Sequence, residues 1–195
     1  MKTSWGKPVH VISFCRTLLI VLAVAACTVA AEDLETLRKK AAAGDAAAQF
    51  KLGWMYANGE GVPEDDAEAV KWCRKAAEQG VADAQANLGV MYHNGVGVTQ
   101  DYAEAAKWYR KAAEQGDTDA QFLLGYLYYE GRGVPEDSVA AYAWWSVAAA
   151  SGHDDARKLR DWIKDELTPS QLEKGQVMAR EIYERIERRK EAKGQ

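Results

Sequence analysis

The sequence predicts an all-α protein built as a stack of helix–turn–helix units. Three observations predict it. "KWCRKAAEQG" at 71–80 returns as "KWYRKAAEQG" at 107–116, with nine of ten residues identical. Gly44, Gly80, Gly116 and Gly152 stand 36 residues apart, and 45–80 aligned on 81–116 gives 24 identities in 36, with 15 between 81–116 and 117–152. Within each period the apolar residues recur at helical spacing, and a fixed period of this length is the mark of a repeat array.

The first helix of a unit follows from Ala48, Leu52, Met55 and Tyr56, which fall at i, i+4, i+7 and i+8 on one face. Asn58-Gly59 ends it, because both residues tolerate the left-handed conformation of a helix C-terminus. "GEGVPED" is a turn. Asp65 then provides an N-cap, and with Glu68 it forms a predicted capping box that Asp101 and Glu104 repeat. The second helix carries Ala69, Trp72, Cys73, Ala76 and Ala77 on one face and stops at Gly80. One such pair cannot bury its own apolar face, so successive pairs must stack. Gly53, Gly89 and Gly125 lie inside the first helices, where Gly costs about 1 kcal/mol against Ala. Three occurrences at one position require a close approach, and Trp72, Trp108 and Trp144 of the second helices are the candidates for it. Each of these tryptophans is expected to be buried between units.

The pattern A-x-x-x-L-G-x-x-Y-x-x-G-x-G-V, then D-x-x-x-A-x-x-W, then A-A-x-x-G, resembles the Sel1-like repeat family. The resemblance implies a right-handed α/α solenoid, related to tetratricopeptide arrays, that works through protein–protein contacts. It divides the chain into a capping helix at 32–44, repeats at 45–80, 81–116 and 117–152, and a partial repeat with a capping helix at 153–190. The stretch 152–167 mimics a first helix without its L-G or its G-x-G-V turn. "LTPSQLEKGQVMAREIYERIE" at 167–187 resembles the helix that closes bacterial members, and Thr168-Pro169 starts it, with Pro in the first turn. Glu173, Lys174, Arg180, Glu184 and Arg185 supply the polar outer face that a terminal unit needs.

Residues 1–27 are of another kind. A head with Lys2, Lys7 and Arg16 and no acid precedes "TLLIVLAVAA", which is the plan of a secretory signal. The apolar run is too short for a bilayer span of roughly 20 residues. "VAAC" at 24–27 resembles a bacterial lipobox, which implies lipidation of Cys27 and a membrane anchor; cleavage near Ala30 or Ala31 is the competing reading. Either route exports the chain to the periplasm or to a membrane surface. Removing the three basic residues of the signal leaves 22 Lys and Arg against 29 Asp and Glu, a net charge of −7. That balance argues against nucleic acid as a partner. Cys15 and Cys27 belong to the signal region, so Cys73 stands alone and reads as a buried apolar filler aligned with Tyr109 and Trp145.

The sequence offers little chemistry. His93 and His153 are far apart in the repeat register, no metal-ligand spacing occurs, and no cofactor is expected. The G-x-G-V turns at 59–62, 95–98 and 131–134 follow helices, whereas a phosphate cradle follows a strand. Cysteine-rich relatives are linked to β-lactam binding or hydrolysis and carry a cysteine pair per unit. No such pairs occur here, so that activity is not carried over.

Binding is the function that remains, and it must use side chains that differ between units. Subtracting the shared residues leaves Trp54, Val90, Tyr126 and Trp162 in one register of the first helices. Phe50, Ala86 and Phe122 share a second; Ala57, His93 and Tyr129 a third; Lys51, Asn87 and Leu123 a fourth. Lys51, Trp54, Asn87, His93, Tyr126, Tyr129 and Trp162 are the candidate partner contacts, on the side that the resemblance makes concave. The leading expectation is a non-enzymatic adaptor of the cell envelope with a protein partner. The other is an envelope enzyme or regulator that acts on or senses peptidoglycan or polysaccharide.

Overall fold

The computed structural model describes residues 34–193, so the signal region and Cys27 lie outside the described residues. Nine helices and no strand make up the described residues: α1 (34–42), α2 (Ala46–Asn58), α3 (Asp66–Glu78), α4 (Ala82–Asn94), α5 (Tyr102–Ala113), α6 (Thr118–Glu130), α7 (Ser138–Ala150), α8 (Asp154–Lys164) and α9 (Pro169–Lys193). Helices α2 to α7 form three antiparallel-type hairpin pairs in an all-α helical repeat, each first helix packed on its own second helix and on the one before.

Local chemistry sets the helix ends. Asp45 and Asp117 cap α2 and α6 by accepting from Ala48 and Ala120 N–H, and Asp65, Asp101 and Asp137 cap the second helices. Gly59, Gly95 and Gly131 close the first helices in the left-handed conformation. The predicted capping box is only half present. Glu68 and Glu104 do not reach back to the cap; their carboxylates accept instead from Trp72 and Trp108 Nε1 at 3.0 and 3.1 Å. A complete box does form where none was assigned: Thr168 and Gln171 bond each other reciprocally at the start of α9.

The close approach at the helical glycines is real, but its partner is one residue further along. An ideal Cβ on Gly53 would lie 2.8 Å from Cys73 Sγ and 3.0 Å from Cys73 N. On Gly89 it would meet Tyr109 Cδ1 at 2.5 Å, and on Gly125 Trp145 Cδ1 at 2.7 Å. Cys73, Tyr109 and Trp145 therefore point into their own units, where they are buried. The tryptophans expected there instead face the layer of neighbouring second helices. Trp108 and Trp144 are buried in it, but Trp72 is only half-buried, in the cluster that Leu34, Leu37 and Ala41 of α1 share at the start of the array. Lysine stems close over two of these rings, with Nζ of Lys75 and Lys111 at 4.5 and 4.0 Å from the Trp72 and Trp108 centroids. Cys73 is a free, buried thiol whose pKa burial pushes up to about 11, which suits a filler.

Unit is tied to unit by a repeated polar ladder. Gln49, Gln85 and Gln121 are buried, and each Nε2 donates to a carbonyl in the last turn of the preceding second helix: Ala41, Ala77 and Ala113, at 2.9–3.1 Å. Each of those carbonyls also accepts from the N–H of the glycine that follows its helix, Gly44, Gly80 or Gly116 at 3.0–3.2 Å, and the glutamine adds a second donor from the next unit. Arg74 and Arg110 reach forward to the hydroxyls of Tyr92 and Tyr128 in the next unit. The turns stack as well: a Cβ on Gly97 would fall 2.2 Å from Asp66 O, so only glycine allows that turn to sit on the start of α3.

Helix α9 does not extend the stack. It runs back across the second helices, with Gly175 against Tyr142, Ile182 and Ile186 in the main core, and Arg189 Nη1 3.0 Å from Oε2 of Glu114, the C-cap of α5. The sequence of α7 matches that cover. Where the earlier units have Lys, Arg, Lys and Glu at 107, 110, 111 and 114, the third has Ala143, Ser146, Val147 and Ala150.

Candidate functional site

The first helices α2, α4, α6 and α8 share one face, and the side chains that differ between units lie along it. Leu52, Leu88 and Leu124 turn inward and are fully buried. Two positions further on in each helix, Trp54, Val90 and Tyr126 turn outward and are 43, 38 and 38 % exposed, and Trp162 on α8 is 46 % exposed. Singly exposed apolar side chains are ordinary, but several aligned along one face make a patch of the kind that marks an interaction site. The structure therefore places the expected row on the surface rather than in the core.

Other candidates separate into groups. Tyr129 is exposed and meets Trp162 edge-on, centroids 5.4 Å apart, so these two rings form one aromatic corner over α6 and α8. Lys51 is exposed, and no ion pair involves it among the described residues. Asn87 is half-buried beside Val90. His93 sits apart from the row: its ring packs between helices, 5.2 Å from Tyr102 and 6.3 Å from Tyr109, and its Nδ1 is buried without a partner. Burial, reinforced by the Arg132 guanidinium, holds its pKa below the ordinary imidazole value against the opposing pull of Glu130. Its ring packs against these neighbours while the residue stays partly exposed.

Between α2, α4 and α6 the face dips into a groove of about 320 Å³. Phe50, Ala86, Val90 and Leu123 supply apolar lining, and Asp83, Asp117 and Asp119 stand along one edge. The candidate contacts read from the sequence do not include these carboxylates. A signal was present, since Asp83, Asp119 and Asp155 are spaced by the repeat period. Asp117 is held above the ordinary carboxyl pKa, first by burial and then by the neighbouring Asp119 and Asp83 carboxylates, although the N–H of Ala120 opposes the shift. At the far end Phe122 stacks on His153, centroids 4.4 Å apart, and His153 Nδ1 caps α8 by accepting from Ala156 N–H.

What such a face can do chemically is bind. Among the described residues no group of three or more His, Cys, Asp or Glu could hold a metal ion. No described helix is long and apolar enough to cross a membrane.

Comparison with known proteins agrees with the architecture. The Sel1 repeat model matches residues 46–81, 82–117 and 118–153. A Sel1 repeat protein from Oxalobacter formigenes is 44 % identical in its crystal structure, over 66 % of this chain and 97 % of that one, with a TM-score of 0.61. The protective antigen c5321, present in uropathogenic Escherichia coli strains and displaying an SLR fold, is 32 % identical with a TM-score of 0.61; the match covers 78 % of this chain and 41 % of the antigen. Cysteine-rich protein B of Helicobacter pylori is 26 % identical over 65 % of this chain and 96 % of that chain, with a TM-score of 0.51. Among curated proteins none matches. With three consecutive repeats matched across more than half its length, the chain belongs to the Sel1 repeat family.

Proposed function

We propose that this protein is a non-enzymatic adaptor of the bacterial cell envelope that binds a partner protein through its first-helix face. Sel1 repeat proteins are in general protein-interaction adaptors, and a solenoid offers an extended surface for that role. The observation that carries the reading is the exposed row Trp54, Val90, Tyr126 and Trp162, set at positions free to vary between units. Exposed aromatic anchors supply much of the energy at protein interfaces. Lys51, Asn87 and Tyr129 flank the row as polar and aromatic contacts. The export signal at 1–27 and lipidation of Cys27 would tether this face outside the cytoplasm.

The test is affinity capture on the full chain with Trp54→Ala and Tyr126→Ala. Each is expected to weaken the partner by about 1–2 kcal/mol or more, in the range of interface anchors, while the thermal midpoint stays in place. Loss of stability with affinity intact would show the rings to be core. Saturable binding of soluble peptidoglycan fragments, lost on the same substitutions, would replace the protein partner by a glycan.

A further inference from the structure

We propose that the partner, on the adaptor reading above, presents a short basic segment carrying apolar side chains, and that the groove between α2, α4 and α6 receives it. Three features of the groove converge on that occupant. Its lining is apolar, from Phe50, Ala86, Val90 and Leu123, so a purely hydrophilic polycation leaves it unfilled. Its edge is acidic and not neutralised from within. Among the described residues neither Lys nor Arg pairs with Asp83, Asp117 or Asp119, and Asp119 meets only His153 Nε2, at 3.6 Å. Lys158, the nearest base on α8 in the repeat register, is taken by Asp155 at 2.7 Å. Lys51 is the only Lys or Arg in the sequences of α2, α4 and α6, against three carboxylates at the groove.

The third feature is the aromatic row beside the groove. Trp54 and Tyr126 are 43 and 38 % exposed, and Arg or Lys of a bound segment can pack against their rings. Size and backbone chemistry narrow the choice further. About 320 Å³ accommodates a few side chains rather than a folded domain. Helical backbones satisfy their own hydrogen bonds, so no strand can be added here, and the segment must be held by its side chains. The same field repels nucleic acid and anionic lipid surfaces.

The experiment uses the exported chain without its signal and a labelled short peptide alternating leucine with lysine, followed by fluorescence anisotropy. A peptide with glutamate in place of lysine is the charge control. Asp83 and Asp119 lie in the first turns of α4 and α6, and the cap of α6 comes from Asp117, so Asp83→Asn with Asp119→Asn spares the cap. The thermal midpoint verifies that the fold is kept. Saturable binding of the lysine peptide is expected, weakened about tenfold by the double substitution. Raising the salt from about 0.1 M to about 1 M, which cuts the screening length from about 10 Å to about 3 Å, should weaken it as well. Glu173→Gln with Glu184→Gln, acids on α9, should leave it unchanged. Equal binding of the glutamate peptide, or binding indifferent to Asp83→Asn with Asp119→Asn, overturns the basic segment. If the captured partner is lost on Trp54→Ala yet ignores the two aspartates, the adaptor reading stands and the basic segment falls. If it ignores both sets, both fall.

Discussion

Replacing Ser151 by Gln should stabilise this protein, and the reason is a gap in its own repeat. In the first two units the buried glutamine of the first helix is bonded on both ends. Gln49 and Gln85 donate to Ala41 and Ala77 carbonyls, and their Oε1 atoms accept from Gln79 and Gln115 at 2.7 and 2.9 Å. The donating amide of Gln79 or Gln115 also reaches the carbonyl of Gly44 or Gly80. In the third unit that position is Ser151, which is too short, and Gln121 Oε1 is buried with no partner. A buried unsatisfied acceptor costs about 1–3 kcal/mol. Ordering a new glutamine side chain at the surface takes back up to about 1.5–2 kcal/mol. The net expectation is a gain of about 1 kcal/mol, or a rise of about 2–4 °C in the unfolding midpoint for a chain of this size. Circular dichroism melts of the wild type, Ser151→Gln and Gln115→Ser read it directly. Gln115→Ser recreates the gap in the second unit and should lower the midpoint by at least as much. If Ser151→Gln leaves the midpoint unmoved or lower, and Gln115→Ser is neutral, the ladder does not hold the units together as argued.

Two further outcomes are expected. Trp108 is 4 % exposed, so Trp108→Ala should cost about 3–5 kcal/mol, while Trp72→Ala, at a half-buried ring, should cost about half that; equal losses in thermal unfolding would reject the burial order. For Cys27, metabolic labelling with a palmitate analogue should mark the wild type and not Cys27→Ala. Two unlabelled proteins with a mature N-terminus near Ala31 or Glu32 would establish ordinary signal cleavage instead.

The repeat made the helices α2 to α7 legible, because three copies of one pattern fix the same boundaries three times over. It also made the exposed row legible by subtraction, since residues spent on packing are shared and Trp54, Val90 and Tyr126 are not. The misplaced contact at the glycines has a simple cause. Trp72 and Cys73 are adjacent, both apolar, and about 100° apart on a helix of 3.6 residues per turn, so periodicity puts both on the buried side without saying which faces the unit and which its neighbour. The better signal was size: the position facing the constant glycine varies from Cys73 to Tyr109 to Trp145, as a contact retuned in each unit would. The packing of the His93 ring is not legible from register alone. Its place in the column of Tyr129 suggested the open face, but Tyr102 and Tyr109 draw its ring between helices. The aspartates of the groove do not stand out in the sequence, because a carboxylate on a helix face is usually solvated.

The path of α9 could also have been anticipated, and it bears on where recognition takes place. A second helix at the surface of the stack needs charge on its outer side, and α3 and α5 have it. Helix α7, "SVAAYAWWSVAAA", contains no charged residue at all. A helix apolar all round is covered on more than one side, and among the described residues the long segment outside the repeats is the one that begins at Pro169. That segment lies along α7 and α5 through Ile182 and Ile186, and Arg189 fixes its far end to Glu114. The longest helix among the described residues is thereby committed to the second-helix layer. The first-helix layer is left open, with its rings and carboxylates facing solvent, and a partner meets side chains there that no other part of the described chain competes for.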